Sequence, residues 1–339
     1  MKYSKIFCWD KGRVGRLYLA GGLLLVAALI SGVLLGSTPL SPGEVIGAFR
    51  DGFDSSAGAR IFAYVRLPRT LAALVCGGAL AAAGAVIQNV LANPLASPGI
   101  IGVNAGAGLA VTLCTALGFL GGWQVSLFAF VGAFAAVMAV SLGAKRWGGS
   151  RGTLILMGVA LNSLFGAMSD TVVTLIPEVG VMRNDFRVGE FSSVTYGRLI
   201  PAAVMILLTL AVLLTLHNGL DVLTLGEETA AGLGMNTALM RTVFLLLAAL
   251  LAGCAVSLAG LLSFVGLMVP HAVRRLSGGR GIHLLGLSAL FGGAFVCLCD
   301  TLARTVFSPY EIPVGIIMAF LGAPFFLWIL FRRKGESEA

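Results

Sequence analysis

Full charges are scarce in this chain: 11% of its 339 residues, with 15 acidic side chains against 23 lysines and arginines. A folded domain needs polar surface to show water. A sequence with 58% hydrophobic residues and a mean hydropathy of +0.97 cannot supply it, which excludes a soluble protein. No segment alternates polar and apolar residues over about ten positions, which excludes a membrane β-barrel. No glycine-lysine phosphate loop, nucleophile elbow or metal-ligating helix signature occurs. The chain itself is therefore expected to hydrolyse nothing and to need no cofactor or metal. Its isoelectric point is about 9.5, yet no basic stripe or recognition motif gathers the cations, so no nucleic-acid partner is expected. The cysteines (Cys8, Cys76, Cys114, Cys254, Cys297, Cys299) lie mostly inside apolar runs without paired spacing and read as small buried hydrophobes. Lys2, Lys5, Lys11, Arg13 and Arg16 precede the first apolar run as they would in a secretory signal. That run is too long, and no Ala-x-Ala follows it, so it reads as an uncleaved span.

What the sequence does hold is long apolar runs rich in Leu, Ala and Gly. The chain reads as an all-α polytopic membrane protein of about ten transmembrane helices. They are predicted over 17–37, 67–90, 98–118, 123–144, 152–175, 199–216, 240–261, 263–273, 284–305 and 313–331. The eighth is too short to cross straight and carries Gly266 and Pro270, which predicts a broken or tilted element inside the bundle. With both termini in the cytoplasm, most lysines and arginines fall on the inner side, and the net charge of +8 is that bias. Ala83-Gly84 lies ten residues before Pro94, and Ala259-Gly260 ten before Pro270, in spans threaded in opposite senses. The echo suits inverted five-span repeats, and equally suits coincidence in helices made of Gly and Ala.

Polar residues in such a chain mark places that face protein, water or a partner. Arg66 and Arg69 precede the second span. Gln88, Asn89, Asn93 and Asn104 gather with Pro94 and Pro98 around its far end and the start of the third span. Either these amides satisfy backbone groups freed by the prolines, or they line a polar passage. Many of the 46 glycines recur at small-xxx-small spacing, as in Gly102 and Gly106, and let helices approach closely. Residues 223–234 predict a short helix, a turn and a second short helix along the membrane surface. They form either a solvated connection or a docking element for a cytoplasmic partner. His217, His271 and His283 fall at predicted cytoplasmic helix ends, where capping of orphan carbonyls is the expected job. Asp300 and Arg304, four apart, would pair on one helix face.

In order, the stretches Arg66-Leu-Pro-Arg69, Ala83 to Gly108, Leu225 to Met235, Phe264 to Arg275, Asp300 with Arg304, Ile312 to Gly315 and Leu321 to Phe326 resemble the FecCD-type permease family. These are the membrane subunits of binding-protein-dependent ABC importers for iron-siderophores, haem and cobalamin, and the resemblance covers nearly the whole chain. It implies the type II ABC importer permease fold and a single transmembrane permease domain over 1–339, with a cytoplasmic coupling segment at about 221–237. Implied partners are two cytoplasmic ATP-binding subunits that hydrolyse ATP, an extracytoplasmic substrate-binding protein, and a second permease subunit in a homo- or heterodimer. The setting is the lipid of the cytoplasmic membrane. Among the residues, it implies binding-protein docking by Arg66, Arg69 and Arg304, and ATPase coupling through Gly226, Glu227, Glu228, Ala230, Leu233 and Gly234. It also implies a path or gate at Gln88, Asn89, Asn93, Pro94, Pro98, Asn104, Arg151 and Gly152. The family narrows its inner gate with small polar residues, whereas this chain has Gly149-Ser150-Arg151-Gly152. The implied cargo is an intact metal chelate, iron-siderophore first and haem or cobalamin as alternatives. Its metal is already coordinated, so the path needs no ligands of its own.

Two rivals belong to other classes. An ion-coupled secondary transporter would use Asp170 or Asp300 as its coupling carboxylate. An intramembrane enzyme would need paired groups at one depth, and Asp170, Asp300 and His271 do not obviously meet. The stretch Val181 to Gly197, with Arg183, Asp185, Arg187 and Glu190, is more charged than a linker requires and receives no role.

Overall fold

A computed structural model describes residues 11–38, 40–147 and 150–337, with the side chains of 11 and 328–337 excepted. Lys2, Lys5, Cys8 and Gly149 lie outside the described residues, so nothing is added to the readings made on them. Every regular element among the described residues is helical, as lipid demands of a backbone that must satisfy its own hydrogen bonds.

In chain order the helices are α1 (Lys11–Leu34), α2 (Pro42–Asp51), α3 (Ala57–Arg60), a π-helical turn (Ile61–Arg66), α4 (Leu67–Val90), α5 (Val103–Ala116), α6 (Gly122–Arg146) and α7 (Arg151–Leu175). There follow α8 (Val179–Val188), α9 (Tyr196–Thr215), α10 (His217–Thr224), α11 (Glu227–Gly232), α12 (Thr237–Ala259), α13 (Val265–Ser277), α14 (Gly281–Thr305) and α15 (Val314–Ser337). Every predicted span coincides with one of these within a few residues. Among the described residues, seven helices are long and apolar enough to cross a membrane, and Val103–Ala116 and Val314–Leu327 are shorter apolar helices. The short eighth span is α13, with Pro270 inside it, entered through Phe264 in the left-handed region.

Helix α4 is the axis of the bundle. It packs against α14, α12, α13 and α1, and almost all of it is buried. Its composition makes that position accessible: with Ala at 79, 81, 82, 83 and 85 and Gly at 77, 78 and 84, neighbouring backbones come within van der Waals reach. A Cβ added at Gly84 would lie 1.8 Å from the Gly266 carbonyl oxygen, and one at Gly77 would lie 2.3 Å from that of Gly292. Helices α1 and α7, by contrast, present most of their surface outward.

The two halves of the sequence echo occupy different local structures. Gly84 lies within α4 at a helix crossing, whereas Gly260, at φ +70°, ends α12. Pro94 lies in an irregular connection and Pro270 in a helix. The echo therefore carries no argument for a repeat.

The charged stretch 181–197 has a structural job that its sequence did not disclose. The C-terminal end of α8 braces the interruption between α12 and α13 through main-chain bonds: Glu190 N–H to the Ala259 carbonyl at 2.8 Å, and Leu261 N–H to that of Phe186 at 2.9 Å. Gly315 N–H donates to the Gly189 carbonyl at 3.2 Å and so fastens the start of α15 to the same brace.

Candidate functional site

Two clusters of charge sit at opposite ends of α4. At its start, the Asp300 carboxylate on α14 is fully buried between two guanidiniums. Arg69 Nε donates to its oxygens at 3.1 and 3.2 Å, and Arg304 Nε lies 3.0 Å from Oδ2 on the same helix face. The predicted i,i+4 pair is therefore present, and a second arginine shares its acid. Arg69 Nη1 also donates to Glu311 Oε2 at 2.6 Å, and Ser37 Oγ–H donates to Glu311 Oε1 at 2.8 Å. Burial alone would raise the Glu311 carboxyl. The bonds from Ser37 and Arg69 and the charges of Arg69 and Arg304 outweigh it and hold the group below the usual carboxylate range.

Arg66 and Arg304 also close the end of α1. Arg66 donates to the carbonyls of Val33 at 3.0 Å, Leu34 at 2.6 Å and Thr38, and Arg304 Nη2 donates to that of Gly32 at 3.0 Å. Carbonyls in the last helical turn have no intrahelical partner and carry the negative end of the helix dipole, so cations belong there. Arg66, Arg69 and Arg304, to which the resemblance gives the docking of a binding protein, are 3%, 6% and 2% exposed, and internal acids and carbonyls engage them.

At the other end of α4, Gln88 donates through Nε2 to the carbonyls of Gly266 at 3.2 Å and Leu267 at 3.3 Å. Arg274, in the last turn of α13, donates to Gln88 Oε1 at 3.1 Å and to Asn89 Oδ1 at 2.8 Å. These amides lock α13 to α4. Asn93 does what the proline-repair alternative expected, its Oδ1 accepting from Leu95 N–H at 2.9 Å beside half-buried Pro94. Asn104 and Pro98 instead line a cavity of about 210 Å³ with Leu80, Ser263, Phe264 and Gly266.

The segment 223–234 forms the end of α10, a turn and α11. Gly226 at φ +106° and Gly234 at φ +81° make the turns that flank α11, in a region L side chains rarely adopt. Ala230 is the buried residue of α11, Leu225 and Leu233 stand 60% and 65% exposed, and Glu228 faces solvent. Glu227 Oε1 accepts from Arg241 Nη2 at 2.5 Å and lies 3.4 Å from Arg151 Nε, while Arg151 Nη2 donates to the Leu223 carbonyl at 3.2 Å. Arg151, which the resemblance places at the path or gate, turns its side chain to the α10–α11 segment. Gly152, the next residue of α7, is exposed.

The histidine expectation holds at one position. His217 Nδ1 lies 2.9 Å from the Leu214 carbonyl in the last turn of α9. His271 sits mid-helix in α13, and His283 lies in the first turn of α14, edge-on to Tyr18 at 5.8 Å. Asp170 is exposed and bonded to Arg183 at 2.7 Å. Among the described residues no group of three or more His, Cys, Asp or Glu could hold a metal ion. Arg241, Arg274 and Glu311 were visible in the sequence as charges beside apolar runs, but nothing local announced their partners.

A central buried helix, a broken neighbour and a surface helical pair between two spans define a multi-pass permease fold. A solved structure described as an inward-facing conformation of an ABC transporter of metal-chelate type superposes with a TM-score of 0.82 at 30% identity, over 94% of this chain and 99% of that one. The haemin transport system permease protein HmuU of Yersinia pestis is 36% identical over 337 residues, covering 96% of this chain and 99% of its own. The ferric enterobactin transport system permease protein FepD of Escherichia coli strain K12 is 35% identical over 320 residues, covering 94% and 95%. The FecCD transport family matches residues 23–332, and the chain belongs to it: it is a multi-pass ABC transporter permease.

Proposed function

We propose that this chain is a single-domain permease subunit of a binding-protein-dependent importer in the cytoplasmic membrane, with both termini in the cytoplasm. Its cargo is an intact metal chelate, iron-siderophore first, with haem and cobalamin as alternatives. The enterobactin and haemin relatives support the first two. The observation that carries the reading is the α10–α11 segment. Its two exposed leucines, exposed Glu228 and glycine-set turns offer a preformed knob to a soluble partner, and the chain has no phosphate loop of its own. ATP hydrolysis is accordingly assigned to a separate pair of subunits. A second permease subunit completes the path, which would account for the outward-facing surface of α7.

At the far end a binding protein docks outside. A carboxylate from that partner would reach Arg69 by replacing Glu311, whose side chain is 33% exposed. The ion-coupled alternative gains no support from either acid, since Asp300 is held by two arginines and Asp170 is paired at the surface. The test is gentle extraction from the native membrane. Copurification with an ATP-binding subunit in equal proportion is expected. Its absence from folded protein would overturn the proposal and make Asp170 and Asp300 the residues to examine.

A further inference from the structure

The cluster around Glu227 joins three elements through one carboxylate. Arg241 belongs to the second turn of α12, a helix buried over most of its length. Arg151 is the first residue of α7, a helix buried over little of its length. Glu227 is the first residue of α11 and the acid that both guanidiniums share, Arg241 at 2.5 Å and Arg151 at 3.4 Å. Arg151 Nε is buried and makes no hydrogen bond, so its hold on Glu227 is charge alone. Its Nη2 bond to the Leu223 carbonyl fastens it to α10 as well.

Two cations that share one anion repel each other wherever the anion is withdrawn. The separation of α7 from α12 at this end therefore depends on where α11 places Glu227. Helix α12 is the fixed side, because its burial and its packing on α4 and α6 hold it. Helix α7, which packs mainly on α5 and α6, is the side that the linkage would move.

We propose that Arg151 is a positioning residue that transmits displacement of α11 to α7, with Arg241 anchoring the shared carboxylate on α12. The proposal rests on reading α10–α11 as the contact for an ATP-binding subunit.

The experiment uses the complete transporter, purified with its ATP-binding subunits and reconstituted in liposomes. Spin labels are placed at Leu156 on α7 and Leu239 on α12, which are 72% and 57% exposed. The expected result is an ATP-dependent change of the label distance in the parent protein. That change should be lost in Arg151→Met and in Arg151→Gln and kept in Arg151→Lys, with uptake per ATP hydrolysed falling at least about ten-fold in the first two. All variants should still copurify with the ATP-binding subunit. Arg151→Gln keeps a donor for the Leu223 carbonyl, so it separates loss of charge from loss of fold. A normal ATP-dependent change in Arg151→Gln overturns the linkage alone. Parent protein that binds no ATP-binding subunit overturns both the linkage and the reading beneath it.

Discussion

Replacing Asp300 by Asn should unseat the end of the bundle where α1, α4 and α14 meet. The carboxylate is fully buried, and each of its oxygens serves a guanidinium that is itself 2% to 6% exposed. An amide of the same shape removes the one negative charge, among the described residues, close to both Arg69 and Arg304 apart from the partly exposed Glu311, and it turns an NH2 group towards donors that need an acceptor. Removing one partner of a buried ion pair costs about 3–5 kcal/mol, because the charge left behind cannot return to water. For a chain of this size that corresponds to a fall in Tm of roughly 5–10 °C. The assay is thermal unfolding of the detergent-solubilised protein, followed by tryptophan fluorescence. The triple variant Asp300→Leu, Arg69→Met, Arg304→Met removes all three charges together and should recover much of the loss, minus the capping bond to the Gly32 carbonyl. A Tm within about 1 °C of the parent for Asp300→Asn would refute the reasoning, since it would mean that water or lipid headgroups already compensate both arginines.

Glu311→Gln should cost only about 1 kcal/mol or less, because the carboxylate is partly solvated. Its folded pKa is lowered, so the Glu311 contribution is complete above the unfolded carboxylate range and disappears as pH falls through the folded value. The Tm difference between parent and Glu311→Gln should therefore close in acid, and a difference that widens there would contradict the assignment. Gly84→Ala forces α4 and α13 apart and should cost 1–3 kcal/mol or more, whereas Gly108→Ala, with nothing within 4 Å, should be neutral or stabilising. Monodispersity on gel filtration and Tm separate the two. Gln88→Leu removes one of the two amide acceptors of Arg274 and the donor to the Gly266 and Leu267 carbonyls, and should destabilise by about 2–3 kcal/mol in the same assay. An unchanged Tm would show that α13 is held by packing alone.

The helices were largely legible because lipid leaves a backbone few options, and an apolar run of spanning length therefore becomes a helix. The helix-turn-helix at 223–234 was legible for a local reason, glycines flanking an amphipathic hexamer. What could not be read was pairing across the chain. Arg69 and Asp300 lie 231 residues apart, and Arg274 and Gln88 lie 186 apart, so no periodicity connects them. The bonds of Arg66 were hidden for the same reason: nothing beside a span announces that α1 ends against it. The short helix α2 could not be read because its ten residues are too few and too mixed to register as a run. Arg151 was found by its departure from family pattern, and only the fold shows which neighbour the departure serves.

The brace between α8 and the interruption of α12 and α13 is made of peptide groups at 186, 189, 190, 259, 261 and 315. Side chains take no part in those bonds, so letters can be exchanged at Phe186 or Glu190 without unfastening it, provided the glycines at 189, 260 and 315 stay. A Cβ at Gly315 would sit 1.7 Å from the Val188 carbonyl oxygen, and Gly189 and Gly260 both hold positive φ. Variation in this stretch should thus be broad in chemistry and narrow at three positions. A mutational library at 186, 189, 190, 260 and 315 should leave the yield of monodisperse protein on gel filtration largely untouched except where a glycine is lost.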